Sequence, residues 1–381
     1  MKFVVAPDSF KESLSASEAA RIIGEAIRSV HPNATVELAP MADGGEGTVE
    51  ALVAAGAGKF RYSEVTGPLG KPVRSLFGIL DGDDAKSGKG TAVLEAASIF
   101  GLTIIPLSER NPYRTTTRGM GELMLQLLDE GFRKFIVGLG GSGTNDGGMG
   151  LLSALGAVFL DKQGESLRGF GEDLLKLDRI GLEALDPRLS DSEIVIASDV
   201  QSPLCGPDGA SRVYGLQKGA SPDQIDALDL SMSRYADRIE DHIGLKLRNS
   251  PGAGAAGGAG FALLAMGAKA VQGAEVVADA SRLGSKLSGA DWVITGEGKS
   301  DNQTLNGKLP FYVARLAKET GARTILISGS LGQNTEELEK EFSACFACVP
   351  RPMTVSECLE QAETTLSDCV RNVVKLLSVP R

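Results

Sequence analysis

Several short stretches of this 381-residue chain place acidic, basic and hydroxyl side chains on glycine-rich backbone. Gly138-Leu139-Gly140-Gly141-Ser142-Gly143 is a G-x-G-x-x-G lying between a β-rich run and an apolar helical run, and it continues into Thr144, Asn145 and Asp146. Glycines at that spacing let backbone N–H groups approach an anion at a helix N-terminus, whatever molecule carries the anion. A carboxylate as near as Asp146 calls for a cation between it and the anion, which suits Mg2+·ATP. The same stretch is in outline the dinucleotide-binding fingerprint, with Asp161 ending the next strand, 18 residues after Gly143. A nicotinamide-dependent dehydrogenase is therefore a rival reading, and a purely structural turn is another.

Other loops carry the same chemistry. Asp8-Ser9-Phe10-Lys11 offers a carboxylate, a hydroxyl and an ammonium; Asp43-Gly44-Gly45-Glu46 offers two carboxylates; Ser198-Asp199 closes a strand before Ser202-Pro203. Arg114-Thr115-Thr116-Thr117-Arg118 adds cations and hydroxyls suited to a small carboxylate. Gly296-Glu297-Gly298-Lys299-Ser300 ends like a Walker A loop, but Val293 occupies its first glycine position and the next helix starts only near Pro310, so it is not a P-loop. Alone, each loop is as well read as a cap or turn. Several such loops at successive strand ends, where open α/β sheets carry their active sites, are harder to dismiss in that way.

Composition narrows the chemistry. The chain holds two histidines, His31 at a helix end and His242 in a charged helical stretch, so a histidine-dependent triad or histidine-rich metal site is poorly supported. Proton transfer falls to a carboxylate or lysine, and metal binding to oxygen ligands, which suits Mg2+. The formal net charge is −10 with basic residues scattered, so neither nucleic acid nor an anionic membrane is an expected partner. MKFVVAPDSFKES lacks the long apolar run of a secretory signal, and no segment reaches membrane-helix length. Five unevenly spaced cysteines, with Cys345 and Cys348 read as buried strand residues, indicate a reduced, cytoplasmic protein. Oligomeric state is not legible.

These loops need elements to hold them. Strand, helix, strand, helix opens the chain: Lys2–Ala6, a helix capped by Ser15-x-x-Glu18, Thr35–Ala39, then Val49–Ala55. Strands at Arg61–Val65, Val73–Leu80 and Thr91–Ala96 are more meandering. Helices are expected over Gly119–Glu130, Met149–Leu155 and Pro222–Ile243, and strands at Lys134–Val137, Ala157–Leu160 and Glu193–Ala197. The end returns to the opening style with strands at Trp292–Thr295, Thr324–Ile327 and Cys345–Val349 and a closing helix over Val355–Leu377. The fold class is α/β with two α/β domains. A discontinuous Rossmann/flavodoxin-like parallel-sheet domain is built from residues 1–65 and 286–381, a mixed α/β domain (66–285) is inserted, and the cleft between them is the expected active site.

At these residues the chain resembles the bacterial type I glycerate kinase family. The matching stretches include APDSFKESLSA (6–16), PMADGGEGT (40–48), RNPYRTTTRGMGEL (110–123), GLGGSGTNDGG (138–148), ASDVQSPLCGPDGA (197–210), VYGLQKGA (213–220), PGAGAAGGAG (251–260) and ITGEGKSDNQTLNGKLP (294–310). The resemblance implies two α/β domains and phosphorylation of D-glycerate with ATP and Mg2+, the family leaning toward the 2-phosphate. Gly143, Ser202, Arg118 and Lys299 depart from the family pattern. Residue types at strand ends then suggest roles. The backbone of Gly140, Gly141, Ser142 and Gly143, with Asn145, Gly296 and Glu297, holds the nucleotide phosphates. Asp146 and Asp199 bind Mg2+ directly or through water, Asp43 or Asp199 accepts the hydroxyl proton, and Lys11 neutralises the transferring phosphate. Arg114, Ser9 and Thr116 bind glycerate. A dehydrogenase and a non-catalytic sugar-acid sensor stay open beside the kinase.

Overall fold

The computed structural model describes residues 1–55, 58–81, 89–301, 304–305, 308–333 and 335–378. The strands run in chain order as β1 (Lys2–Val5), β2 (Thr35–Leu38), β3 (Lys59–Thr66), β4 (Pro72–Leu80), β5 (Thr91–Glu95), β6 (Lys134–Gly138), β7 (Val158–Leu160) and β8 (Arg179–Gly181). They continue as β9 (Glu193–Ala197), β10 (Lys269–Val271), β11 (Trp292–Thr295), β12 (Lys299–Ser300), β13 (Arg323–Ser328), β14 (Ser330–Leu331) and β15 (Ala344–Ala347). The chain divides into two compact units. One comprises 1–43, 50–56 and 274–381, and the other 44–49 and 57–273.

The first unit is built on a five-stranded sheet of order β15-β13-β11-β1-β2, every pair parallel. Its strands are short apolar runs, as sheets covered on both faces require. The helix Ala16–Val30 begins at the expected capping box: Ser15 Oγ accepts from Glu18 N (3.2 Å) and Glu18 Oε2 accepts from Ser15 N (2.9 Å). Its apolar face, including Ala19, Ile23, Ala26 and Ile27, packs with Leu366, Val370 and Val374 into the core over β1, β11 and β13. The closing helix is two helices, Val355–Glu360 and Ala362–Leu377, separated at Gln361 (φ −103°, ψ 11°). The apolar pattern concealed this break, because only the second piece buries a face while the first buries nothing. Cys348 is buried as expected, whereas Cys345 is only half-buried.

The second unit holds a six-stranded sheet of order β10-β9-β6-β5-β4-β3. β10, β9, β6 and β5 are parallel, and β4 and β3 continue antiparallel as a hairpin edge. The helix Pro222–Ile243 has the bounds expected from its sequence. Ser221 and Gln224 form its capping box, Pro222 opens it, and Gly244 ends it in the left-handed region at φ 72°. It buries Leu228, Met232, Tyr235 and Ile239 in the core of this unit. Among the described residues no helix is long and apolar enough to cross a membrane.

Candidate active site

In the first unit the chemistry gathers beyond the carboxyl ends of β1, β2 and β11, where open parallel sheets bind ligands. Asp8 follows β1, and its backbone N–H donates to Gly296 O (2.9 Å), joining the Asp8–Lys11 loop to the loop after β11. Asp8 was not assigned a role from the sequence, yet it is the most perturbed acid here. Burial, then the Asp43 and Glu297 carboxylates, push its pKa up to about 8 against the opposing Ser9 N–H and Lys11. Asp8, Lys11, Asp43 and Glu297 are therefore one electrostatic group, as the succession of loops suggested. Lys11 is exposed and Ser9 half-buried. Glu297 is buried and accepts from Thr304 Oγ1 (2.7 Å) and Ser300 Oγ (3.0 Å), with Lys308 Nζ at 3.6 Å. Gly296 leaves no room for a side chain, since a Cβ there would lie 1.7 Å from Ile327 O.

In the second unit three loops meet at the ends of β6 and β9. β6 and β9 pair in register through Gly138↔Ala197, which brings the loop 138–148 beside Ser198-Asp199. The segment starting at Gly44 lies across both. Gly44 O accepts from Gly140 N (2.9 Å), and a Cβ on Gly140 would come 2.4 Å from Gly45 Cα. Gly44 itself has φ 88°, with Ala197 O where a side chain would begin. Glu95, ending β5, accepts from Gly47 N (3.3 Å) and Val49 N (3.0 Å) and fixes the rest of the segment. Asp199 is half-buried, with Oδ1 accepting from Gly273 N (3.0 Å).

Several expected residues face inward. Asp146 is fully buried, and its carboxylate accepts from Thr117 N (2.7 Å), Thr117 Oγ1 (2.8 Å), Gly148 N (3.0 Å) and Gly150 N (3.2 Å). Burial raises its pKa to about 6, while those donors pull it down. A carboxylate so occupied ties the loop to Thr117. Thr116 is fully buried with Oγ1 accepting from Arg118 N (3.2 Å), so it does not present its hydroxyl to glycerate. Asn145 is buried with Nδ2 donating to Ser211 Oγ (2.8 Å), and Gly143 N donates to Phe100 O (2.9 Å). Neither Gly140 N nor Gly143 N is thus available to a phosphate. The amides of Gly141 and Ser142 have no partner among the described residues, and Gly141 is exposed.

The loop is backed by two further segments. Gly147 N donates to Gly257 O (2.9 Å) and Thr144 Oγ1 to Ala256 O (3.3 Å), so PGAGAAGGAG braces it. Lys218, which sequence reasoning passed over, is buried beneath it and donates to Ser142 Oγ and Thr144 O. Nothing in VYGLQKGA distinguishes that lysine from a surface one. Arg114 ends a 3-10 turn (Pro112–Arg114) and is exposed. Arg118, a departure from the family pattern, pairs with Glu122 on its own helix (2.9 Å).

The dehydrogenase fingerprint fails on geometry. The helix after Gly143 starts only at Met149, and Asp161 follows β7, which pairs antiparallel with β8 outside the parallel sheet. Lys299 and Ser300 form β12, paired with β14, and the next described α-helix begins at Leu309, confirming that this is no P-loop.

The family model described as the glycerate kinase family matches residues 3–378. The chain is 44% identical over 377 residues to a glycerate kinase of Halalkalibacterium halodurans, covering 98% of each. It is 43% identical to glycerate 2-kinase of Escherichia coli over 382 residues, covering 100% of this chain and 98% of the relative. The crystal structure of a Salmonella typhimurium LT2 protein assigned as glycerate kinase 2 superposes with a TM-score of 0.85 at 43% identity, covering 99% and 98% of the two chains.

Proposed function

Because the chain belongs to the glycerate kinase family, we propose that it transfers the γ-phosphoryl group of ATP to a hydroxyl of D-glycerate, giving 2-phosphoglycerate. The observation that carries this reading is a family match running through both units, from residue 3 to residue 378. The name of the Escherichia coli relative, glycerate 2-kinase, supports the 2-hydroxyl as acceptor.

Phosphoryl transfer in line asks a protein mainly for positioning and charge neutralisation. The unpartnered amides of Gly141 and Ser142 suit phosphate oxygens, the exposed guanidinium of Arg114 suits the glycerate carboxylate, and Lys11 suits charge on the transferring group. Ser9, Gly296 and Glu297 line the Lys11 loop group. Asp199 or Asp43 accepts the hydroxyl proton. The acidic groups are all oxygen donors, as Mg2+ requires. Mg2+ beside a nucleotide is commonly held by one or two carboxylates plus substrate phosphates. Asp199 is the carboxylate proposed for it. Bound Mg2+ would neutralise phosphate charge.

A coupled ADP-release assay across several sugar acids, with product regiochemistry read by phosphorus NMR, tests the proposal. Glycerate-dependent, Mg2+-dependent ADP formation with phosphorus on O2 is expected. Absorbance change at the nicotinamide band without ADP would restore the dehydrogenase, and saturable glycerate binding without turnover would favour a sensor.

A further inference from the structure

Lys218 is a buried cation with no part in the roles above. It closes a 3-10 turn (Leu216–Lys218) and is 3% exposed. Nζ donates to Thr144 O at 2.8 Å and Ser142 Oγ at 3.2 Å, and sits 6.0 Å from the centre of the Tyr214 ring. Among the described residues no carboxylate is paired with it. Asp146 is the acid it feels, and Arg110, whose backbone lies against Gly219, sends its guanidinium to the Leu102 and Ile105 carbonyls instead. Burying an ammonium against two neutral oxygens is costly unless an anion completes the arrangement.

The geometry of Ser142 says where that anion belongs. A hydroxyl has one proton to give. With the lysine donating to Oγ, that proton remains for another acceptor. The Gly141 and Ser142 amides likewise lack acceptors among the described residues. Three donors on two consecutive residues, backed by a buried positive charge, are the kind of groups that bind oxyanions.

We propose that Lys218 is the charge behind an oxyanion site at Gly141–Ser142, acting through the Ser142 hydroxyl on an oxygen of either the ATP phosphates or the glycerate carboxylate. Lys218 touches Ser142 and not the ligand, so it is a positioning residue. The inference rests on the kinase reading for the identity of the oxyanion, but not for its existence.

The test uses the full-length protein as wild type, Lys218→Met, Ser142→Ala and the double variant. Ser142→Ala removes the connecting hydroxyl and leaves the buried lysine in place, so it guards against misfolding of Lys218→Met. Losing a charge-assisted hydrogen bond should raise one KM by about tenfold or more. A rise in KM for ATP assigns the phosphate, and a rise in KM for glycerate assigns the carboxylate. Because the effect of Lys218 passes through one hydroxyl, the double variant should be no worse than Ser142→Ala alone. Unchanged KM for both substrates in Ser142→Ala overturns the proposal. Inorganic phosphate provides a readout without turnover: it should raise the melting temperature of wild type more than that of either single variant, and an equal rise in all overturns the site. Absence of glycerate-dependent ADP release by wild type, with the phosphate effect intact, would sink the kinase reading and leave the oxyanion site standing.

Discussion

Replacing Gly44 by alanine puts a methyl group where two loops of the candidate site touch. The added Cβ would lie 2.3 Å from Ala197 O, 2.6 Å from Ala197 C and 3.0 Å from Ser198 N, all backbone atoms that cannot swing aside. Ordinary contact begins at 3.4 Å, so the segments must part by about 1 Å. The left-handed φ of 88° adds about 1–2 kcal/mol for any residue with a Cβ. Weakening the bond from Gly140 N to Gly44 O adds about 1 kcal/mol. The sum, about 2–3 kcal/mol, corresponds to a fall in Tm of about 4–12 °C for a unit of this size. Activity should fall further, by about 10²-fold in kcat/KM, because Gly44 adjoins Asp43 and the displaced backbone carries Ser198 and Asp199. Gly47→Ala is the control: φ is 89° there too, but nothing lies within 4 Å of the added carbon, so only the conformational cost applies. Differential scanning calorimetry and the ADP-release assay read both variants. Equal, small losses in the two would refute the close-approach argument.

Asp199→Asn should lower kcat by about 10²-fold if Asp199 is the proton acceptor, and near-normal turnover would pass that role to Asp43. Asp146→Asn turns an amide N–H toward backbone and hydroxyl donors and should cost about 2–4 kcal/mol in urea denaturation. A stable Asp146→Asn enzyme whose only defect is a raised Mg2+ requirement would instead make Asp146 a metal ligand. Glu240 has a side chain 0% exposed, with Oε2 accepting from Arg248 Nη2 (2.8 Å) and Oε1 from the N–H groups of Leu247 and Arg248 (2.8 Å each). Burial alone would raise its pKa, but the Arg248 side chain and those two N–H groups outweigh it and hold the carboxyl near 2. Its contribution, about 3 kcal/mol, is complete above the ordinary value of 4.5 and is lost as pH falls toward 2. Glu240→Ala should therefore destabilise at neutral pH and flatten the acid limb of the stability curve.

Local rules carried the sequence reading a long way. The Ser15/Glu18 and Ser221/Gln224 boxes announced their helices because a cap needs only residues three apart. The loops at 8–11, 43–46, 138–148 and 198–199 stood out because glycine and acid together are rarely explained by packing. What stayed hidden depended on partners distant in the chain. Asp146 and Thr117 read as active-site polar groups, yet 29 residues of separation fold into a buried bond between them. Lys218 reaches Ser142 across 76 residues, so no window of sequence could announce it. The pKa of Asp8 needs Asp43 and Glu297 close by, and only the assembled sheet puts them there.

The strand β1 is made long before one of its two neighbours, β11, which comes from residues 292–295. At a ribosome's pace of about 5–20 residues per second, β1 waits roughly a quarter of a minute to a minute for that neighbour. All but six residues of the second unit lie in the continuous run 57–273, which is complete before β11 is made. Synthesis thus imposes an order, in which the interior of the chain matures while its beginning stays uncommitted. Nascent chains stalled before residue 292 should leave β1 and the apolar face of the helix after it open to capture by chaperones.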